Sequence, residues 1–298
     1  MESKQGLLAL VLGFSILISL GSAVYAEQGQ PNALIGTSEK YRMFLNDLPK
    51  DDIESVHKAV KEFKTLARAN WAENDTMFLA FRDYYYAVIK ISNDKLFKRE
   101  MKISSFDNGA LLRNGLRILD FEAGSGQCLG QRPSFLCSEF QDYLSTGLNR
   151  FNQIEKEELL ETGDEEKGLY LIDDLGMMIT WNQLSDRIIK WENYLAQYPL
   201  SPLKDDVESS ISIYINIYMT GGGLENTPVY RSGSLRDIVK ESYQRFIEHY
   251  PESKFADLLK DYYVVLKQRN FSLSPEIIDF LQQRGIKTKY LERQLKKE

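Results

Sequence analysis

The pattern that most constrains this chain is a stretch used twice. Trp191, Tyr194, Leu195 and Tyr198-Pro199 return fifty-two residues later as Tyr243, Phe246, Ile247 and Tyr250-Pro251. Each copy sets large apolar side chains at i, i+3, i+4 and i+7, which is one face of an α-helix. Each helix must stop at its Tyr-Pro, because a proline denies helical geometry to the residue before it. A serine follows two places after each proline, Ser201 and Ser253, where it can cap a following helix. Two copies of helix, turn and helix imply a helical-repeat architecture, whose working parts are surfaces rather than a catalytic constellation.

The same logic extends through the second half. Thr180 and Gln183 form a capping box opening a helix to Tyr198. Ser201-Pro202 starts the next, with Leu203, Val207, Ile211, Tyr214 and Tyr218 on one side, and Gly221-Gly222-Gly223 ends it. A loop through Pro228 leads to Ser234, then a helix to Tyr250 and another from Ser253 to about Arg269. Ser274-Pro275 begins a short helix that Gly285 ends, and a basic tail follows.

Upstream, Ile53, Val56, Val60, Phe63 and Ala67 predict a helix capped by Asp51 or Asp52. Asp75 opens a second, whose Phe78, Phe81, Tyr84, Tyr85, Val88 and Ile89 demand burial on most sides. A third is expected over Asn108–Phe121 with Leu112, Leu116 and Leu119 inward. A fourth is expected from Ser134 or Ser138, carrying Phe140, Leu144, Leu148 and Phe151 into the acidic stretch Glu155–Glu166. Between 168 and 180 the pattern allows a short irregular or β element. The expected fold is therefore all-α, with stacked hairpins. Its expected parts are a signal peptide over 1–26, a flexible segment over 27–50, an N-terminal helical subdomain over 51–165 and a C-terminal one over 166–298.

The leader reading rests on Lys4, an apolar core from Leu7 to Leu20, and Val24 and Ala26 before Glu27. That core is shorter than the roughly 20 residues needed to span a bilayer, so the reading is a cleaved signal and a periplasmic or secreted bacterial chain. In an oxidising compartment Cys128 and Cys137 are expected to close one short disulfide loop. A metal site there lacks companions, since His57 and His249 are far off in sequence. With 43 acidic against 37 basic residues, the chain carries no electrostatic footprint for nucleic acid. Nothing points to a cofactor.

Tyr243-Gln-Arg-Phe246 through Tyr250-Pro251-Glu-Ser253-Lys-Phe-Ala256 resembles the tetratricopeptide-like hairpins of bacterial envelope proteins, over about residues 180–271. The offset is longer than the roughly 34 residues of that family, so the glycine-rich loop reads as an insertion. The resemblance implies a non-enzymatic scaffold that binds a protein or peptide partner. Long inserted loops on such scaffolds often carry the contact, which selects Tyr218, Gly221, Gly222, Gly223, Leu224, Glu225, Asn226, Tyr230 and Arg231 as expected contact residues. An immunity or inhibitor protein against a toxin or lysozyme would share every one of these features. The alternative from another class is a cell-wall glycan hydrolase, with Glu122, beside a glycine-rich loop, as a desolvated general acid. The sequence gives no oligomeric state.

Overall fold

In the first half the sequence's helical stripes decide which faces turn inward. The computed structural model describes residues 36–67, 70–121, 126–169, 171–173, 176–223 and 228–296. Contacts divide the chain into two compact units, Met1–Tyr170 and Leu171–Glu298. The leader lies outside the described residues.

The first unit opens with α1 (Thr37–Asp47), α2 (Glu54–Leu66) and α3 (Trp71–Phe97). Part of the segment expected to be flexible is thus a helix. Tyr41 of α1 is fully buried and its hydroxyl donates to the Ala59 carbonyl of α2 at 2.9 Å. α2 buries Val56, Ala59, Val60 and Phe63, and the Asp52 carboxylate accepts from the Glu54 amide at 3.0 Å. α3 begins at Trp71 rather than at Asp75, because Asn70 caps it by accepting from the Ala72 amide. Asp75 serves elsewhere, accepting from the Ser145 amide at 2.9 Å.

The expected third helix stops early. α4 covers Asn108–Arg113, and Leu116–Phe121 is instead strand β1, paired antiparallel with β2 (Gly126–Gln131). Gly115 is the cause. It sits at φ 70°, and a side chain there would overlap the Phe135 ring, so the chain turns out of the helix at a residue free to do so. The Tyr85 hydroxyl donates to the Gly115 carbonyl and holds the turn to α3. The expected fourth helix is two, α5 (Phe135–Phe140) and α6 (Thr146–Leu160). β3 (Lys167–Gly168) then adds to β1 in parallel, giving the order β2-β1-β3. This pairing draws residues 167 and 168 into the first unit.

Arg117 of β1 is 1% exposed and points under this edge. Its guanidinium donates to the carbonyls of Asp164 (2.6 Å), Lys167 (3.3 Å) and Leu159 (3.1 Å). It thereby satisfies carbonyls in the last turn of α6 and in the loop after it, where a helix leaves acceptors unpaired and favours positive charge. A Cβ on Gly168 would lie 2.6 Å from the guanidinium carbon, so a glycine is needed there to let the arginine in.

No disulfide joins Cys128 and Cys137. Cys128 is buried in β2 across from Leu119, while Cys137 on α5 turns its sulfur to Gln153 Oε1 of α6 at 4.0 Å. Strand and helix thus carry the two sulfurs to different neighbours, which sequence proximity does not reveal. Burial also pushes the Cys137 thiol pKa up, which disfavours the reactive thiolate. Thiol titration is expected to find two thiols in denaturant without reductant, and slow reaction of both in the native protein. Finding none in denaturant would restore the disulfide.

The second unit begins with a small ladder, β4 (Ile172–Asp173) with β5 (Gly176–Met177). Then come α7 (Trp181–Gln197), α8 (Lys204–Thr220), a hairpin of β6 (Tyr230–Arg231) and β7 (Ser234–Leu235), α9 (Asp237–His249), α10 (Lys254–Gln268), α11 (Pro275–Gln282) and α12 (Lys289–Leu295). The Thr180/Gln183 capping box is formed. The fold is therefore mostly helical but not all-α, since short sheets occur in both units.

The two Tyr-Pro elbows share one geometry. Tyr198 adopts φ −127°, ψ 62° and Tyr250 φ −126°, ψ 51°. Their amides donate back to Tyr194 and Phe246 at 2.8 and 2.9 Å, and the amides of Ser201 and Ser253 donate to Tyr198 and Tyr250 at 3.0 and 3.1 Å. The serine hydroxyls then accept from Leu203 and Phe255 at 3.1 Å each. Dihedrals and hydrogen bonds repeat because the proline and the serine impose them. The first helices of the two hairpins, α7 and α9, lie together. Asp186 of α7 accepts from Arg245 Nη1 and from the Tyr250 hydroxyl, each at 2.9 Å.

Candidate functional site

The glycine-rich insertion lies between α8 and α9. Gly221 ends α8 in the left-handed conformation at φ 77°, and Gly222 continues at φ 64°. This triple glycine is a helix terminator, and α12 packs against it. Leu224, Glu225 and Asn226 lie outside the described residues. The chain next dives inward, with Val229 fully buried and Tyr230 1% exposed. It returns through a two-residue turn, Ser232 (φ 49°) and Gly233 (φ 69°), whose paired positive angles suit a tight β-hairpin. The strand edge is then covered by the segment after α10. The Leu235 amide donates to Phe271, and the Leu273 amide donates to Gly233. That segment turns at Asn270 and Phe271, both at positive φ.

Two of the expected contact residues are therefore core residues. Tyr218 is fully buried and shares a hydrogen bond with Ser242 at 2.7 Å. Tyr230 shares one with the hydroxyl of Tyr262 at 2.8 Å. Burial drives the phenol pKa of Tyr218 far above the ordinary tyrosine range, and does the same for Tyr230 with a further push from Tyr262. Both stay neutral and serve packing, as buried tyrosines with a satisfied hydroxyl do. The adjacent apolar pair Val229-Tyr230 late in the loop is the sequence signal that this part of the insertion is anchored. Arg231 and Ser232 at the hairpin tip are exposed.

Glu122 lies outside the described residues. The segment leading to it is strand β1 rather than the end of the helix expected over Asn108–Phe121. Buried charge in the first unit is found elsewhere. Arg82 of α3 is 2% exposed and donates to Glu155 of α6 at 2.9 Å. Its guanidinium also lies over the rings of Tyr86 and Phe151, at 5.1 and 4.8 Å. An arginine held between two rings and a carboxylate is a clamp between helices. It absorbs part of the acidic stretch, as do Glu165 with Arg132 and Glu157 with Arg150. Among the described residues no group of three or more His, Cys, Asp or Glu side chains is placed to hold a metal ion, and no helix is long and apolar enough to cross a membrane.

No family model, curated protein or solved structure matches this chain.

Proposed function

We propose that this chain is an exported, non-enzymatic scaffold whose tetratricopeptide-like hairpins bind a protein or peptide partner in the bacterial envelope. The observation that supports it is the repeated elbow. Two hairpins share backbone angles and hydrogen bonds at Tyr198 and Tyr250, and their first helices lie side by side. Repeated hairpins stacked this way present an extended face, which is their usual means of binding. Among the described residues of the insertion the contact residues are the exposed Arg231 and Ser232, and not Tyr218 or Tyr230.

The buried Val229 and Tyr230 also set how this can be tested. Cutting 221–231 to a short turn would remove core side chains, so a deletion should take only 224–227, where loop length itself matters little. A partner captured from envelope extract by the wild type, then shown to bind as a purified pair, is expected to bind about tenfold or more weakly to that deletion combined with Arg231→Ala, the scale of a contact residue worth over a kcal/mol. The same preparations should release no fragments from purified peptidoglycan. Turnover by the wild type that is lost in Glu122→Gln, which removes only a proton donor, would replace this reading with a glycan hydrolase.

A further inference from the structure

The basic tail after Gly285 is not a tail. Residues Lys289–Leu295 form α12, with Lys296 continuing in helical geometry as its C-terminal cap. Lys289, Arg293 and Lys296 are spaced i, i+4 and i+7, so they fall within a sector of about 60° on one side of the helix. All three are exposed, as is Lys287 just before them. The opposite side holds the fully buried Leu291. The acidic residue of this helix, Glu292, is engaged inward, accepting from Thr288 Oγ1 at 2.7 Å and from Gln282 Nε2 at 2.9 Å.

These four cations make no ion pair among the described residues. Other cations of the same unit do, such as Lys260 with Asp257 at 3.3 Å and Arg269 with Glu276 at 2.9 Å. Helix stability accounts for Arg293 and Lys296 at the C-terminal end of α12, but not for Lys289, because a lysine at the first helical position opposes the dipole. A chain of formal net charge −6 thus gathers, on one side of α12, three cations that make no ion pair among the described residues.

We propose that this face is a peripheral docking surface for an anionic phospholipid bilayer. The stripe lies along one helix, and each cation sits on a long stem whose head no ion pair fixes among the described residues. Reading a particular carboxylate takes an arginine fork held in place; an unfixed row of cations responds instead to charge density spread over a plane. α12 shows no large apolar side chain to solvent, so the attachment is electrostatic and screened by salt. This inference is independent of the partner-binding reading above.

The test is partition of the full-length chain onto vesicles of phosphatidylcholine alone and of phosphatidylcholine with phosphatidylglycerol, about two to one, at low salt. The apolar segment at residues 7–20 contributes to both compositions alike, so the quantity read is the ratio of the two partition coefficients. For the wild type the ratio is expected to exceed one and to fall towards one as salt is raised. A protein of net negative charge without a docking face would be repelled, giving a ratio below one. Lys289→Glu, Arg293→Glu and Lys296→Glu together should lower the ratio by about 100-fold or more, at the usual worth of a cation near an anionic surface. Circular dichroism checks that this variant folds. If it does not, Lys289→Gln with Lys296→Gln should lower the ratio about 30-fold instead. A wild-type ratio at or below one, or a ratio unchanged in the folded variants, overturns the proposal. So does stripe-dependent binding to polyglutamate without any gain on anionic vesicles, which would assign the face to an acidic peptide.

Discussion

An Arg117→Met variant is expected to lose about 3 kcal/mol of stability, seen as an earlier urea transition of the first unit. Methionine keeps an apolar stem of similar length, so most packing around β1 survives. What goes is the guanidinium, which donates to three carbonyls at once, those of Leu159, Asp164 and Lys167. Replacing a buried charge by an apolar side chain is often harmless when its partner charge leaves with it. Here the partners are backbone oxygens, which cannot leave, and they lose their donor in a site where Arg117 is 1% exposed. Burial draws the Arg117 pKa down, opposed by the nearby carboxylates of Asp164 and Glu165, yet a guanidinium remains charged throughout the usable pH range. Arg117→Lys should recover only part of the loss, because an ammonium lacks the fork that reaches across the turn. A methionine variant as stable as the wild type would show that apolar filling alone holds β3 and the end of α6 in place.

That arginine also shows where reading the sequence stops. In the segment 116–121, Leu116 and Leu119 are spaced as a helix would space them, and only the left-handed Gly115 reveals that the helix has ended. A buried arginine on a strand carries no periodic signal at all. The cysteine pair fails for a related reason: closeness in sequence does not fix direction, and a strand and a helix carry the two sulfurs apart. The second unit was more legible because its turns are fixed by local chemistry. Thr180 with Gln183, Ser253 with Phe255, and the two Tyr-Pro elbows each act within a few residues, so sequence and structure agree there. The insertion mixes both cases. Its glycines mark the end of α8 correctly, whereas the inward course of Val229 and Tyr230 depends on Tyr262, a partner thirty-two residues away.

The elbows yield the other large effect. A Phe246→Ala variant is expected to lose about 4 kcal/mol, as removal of a buried phenylalanine ring usually does. Phe246 is fully buried and meets the rings of Phe255, Tyr250 and Tyr218 at centroid distances of 5.2, 5.3 and 6.2 Å. These three rings come from α8, α10 and the elbow, so the cavity would open where both hairpins meet, and neighbours held by Asp186 and Ser242 have little room to collapse into it. The first hairpin supplies a sharper control. Its equivalent residue is Tyr194, whose hydroxyl shares a hydrogen bond with Ser201 at 2.7 Å. The second hairpin has the matching serine, Ser253, which already accepts from the Phe255 amide, but no hydroxyl at 246. If the two elbows are equivalent in packing as well as in backbone, Phe246→Tyr should place its hydroxyl against Ser253 and stay within about 1 kcal/mol of the wild type, one neutral hydrogen bond offsetting one buried hydroxyl. A tyrosine variant as damaged as the alanine one would show that the likeness ends at the backbone, and that each hairpin packs its aromatic residue in a pocket of its own.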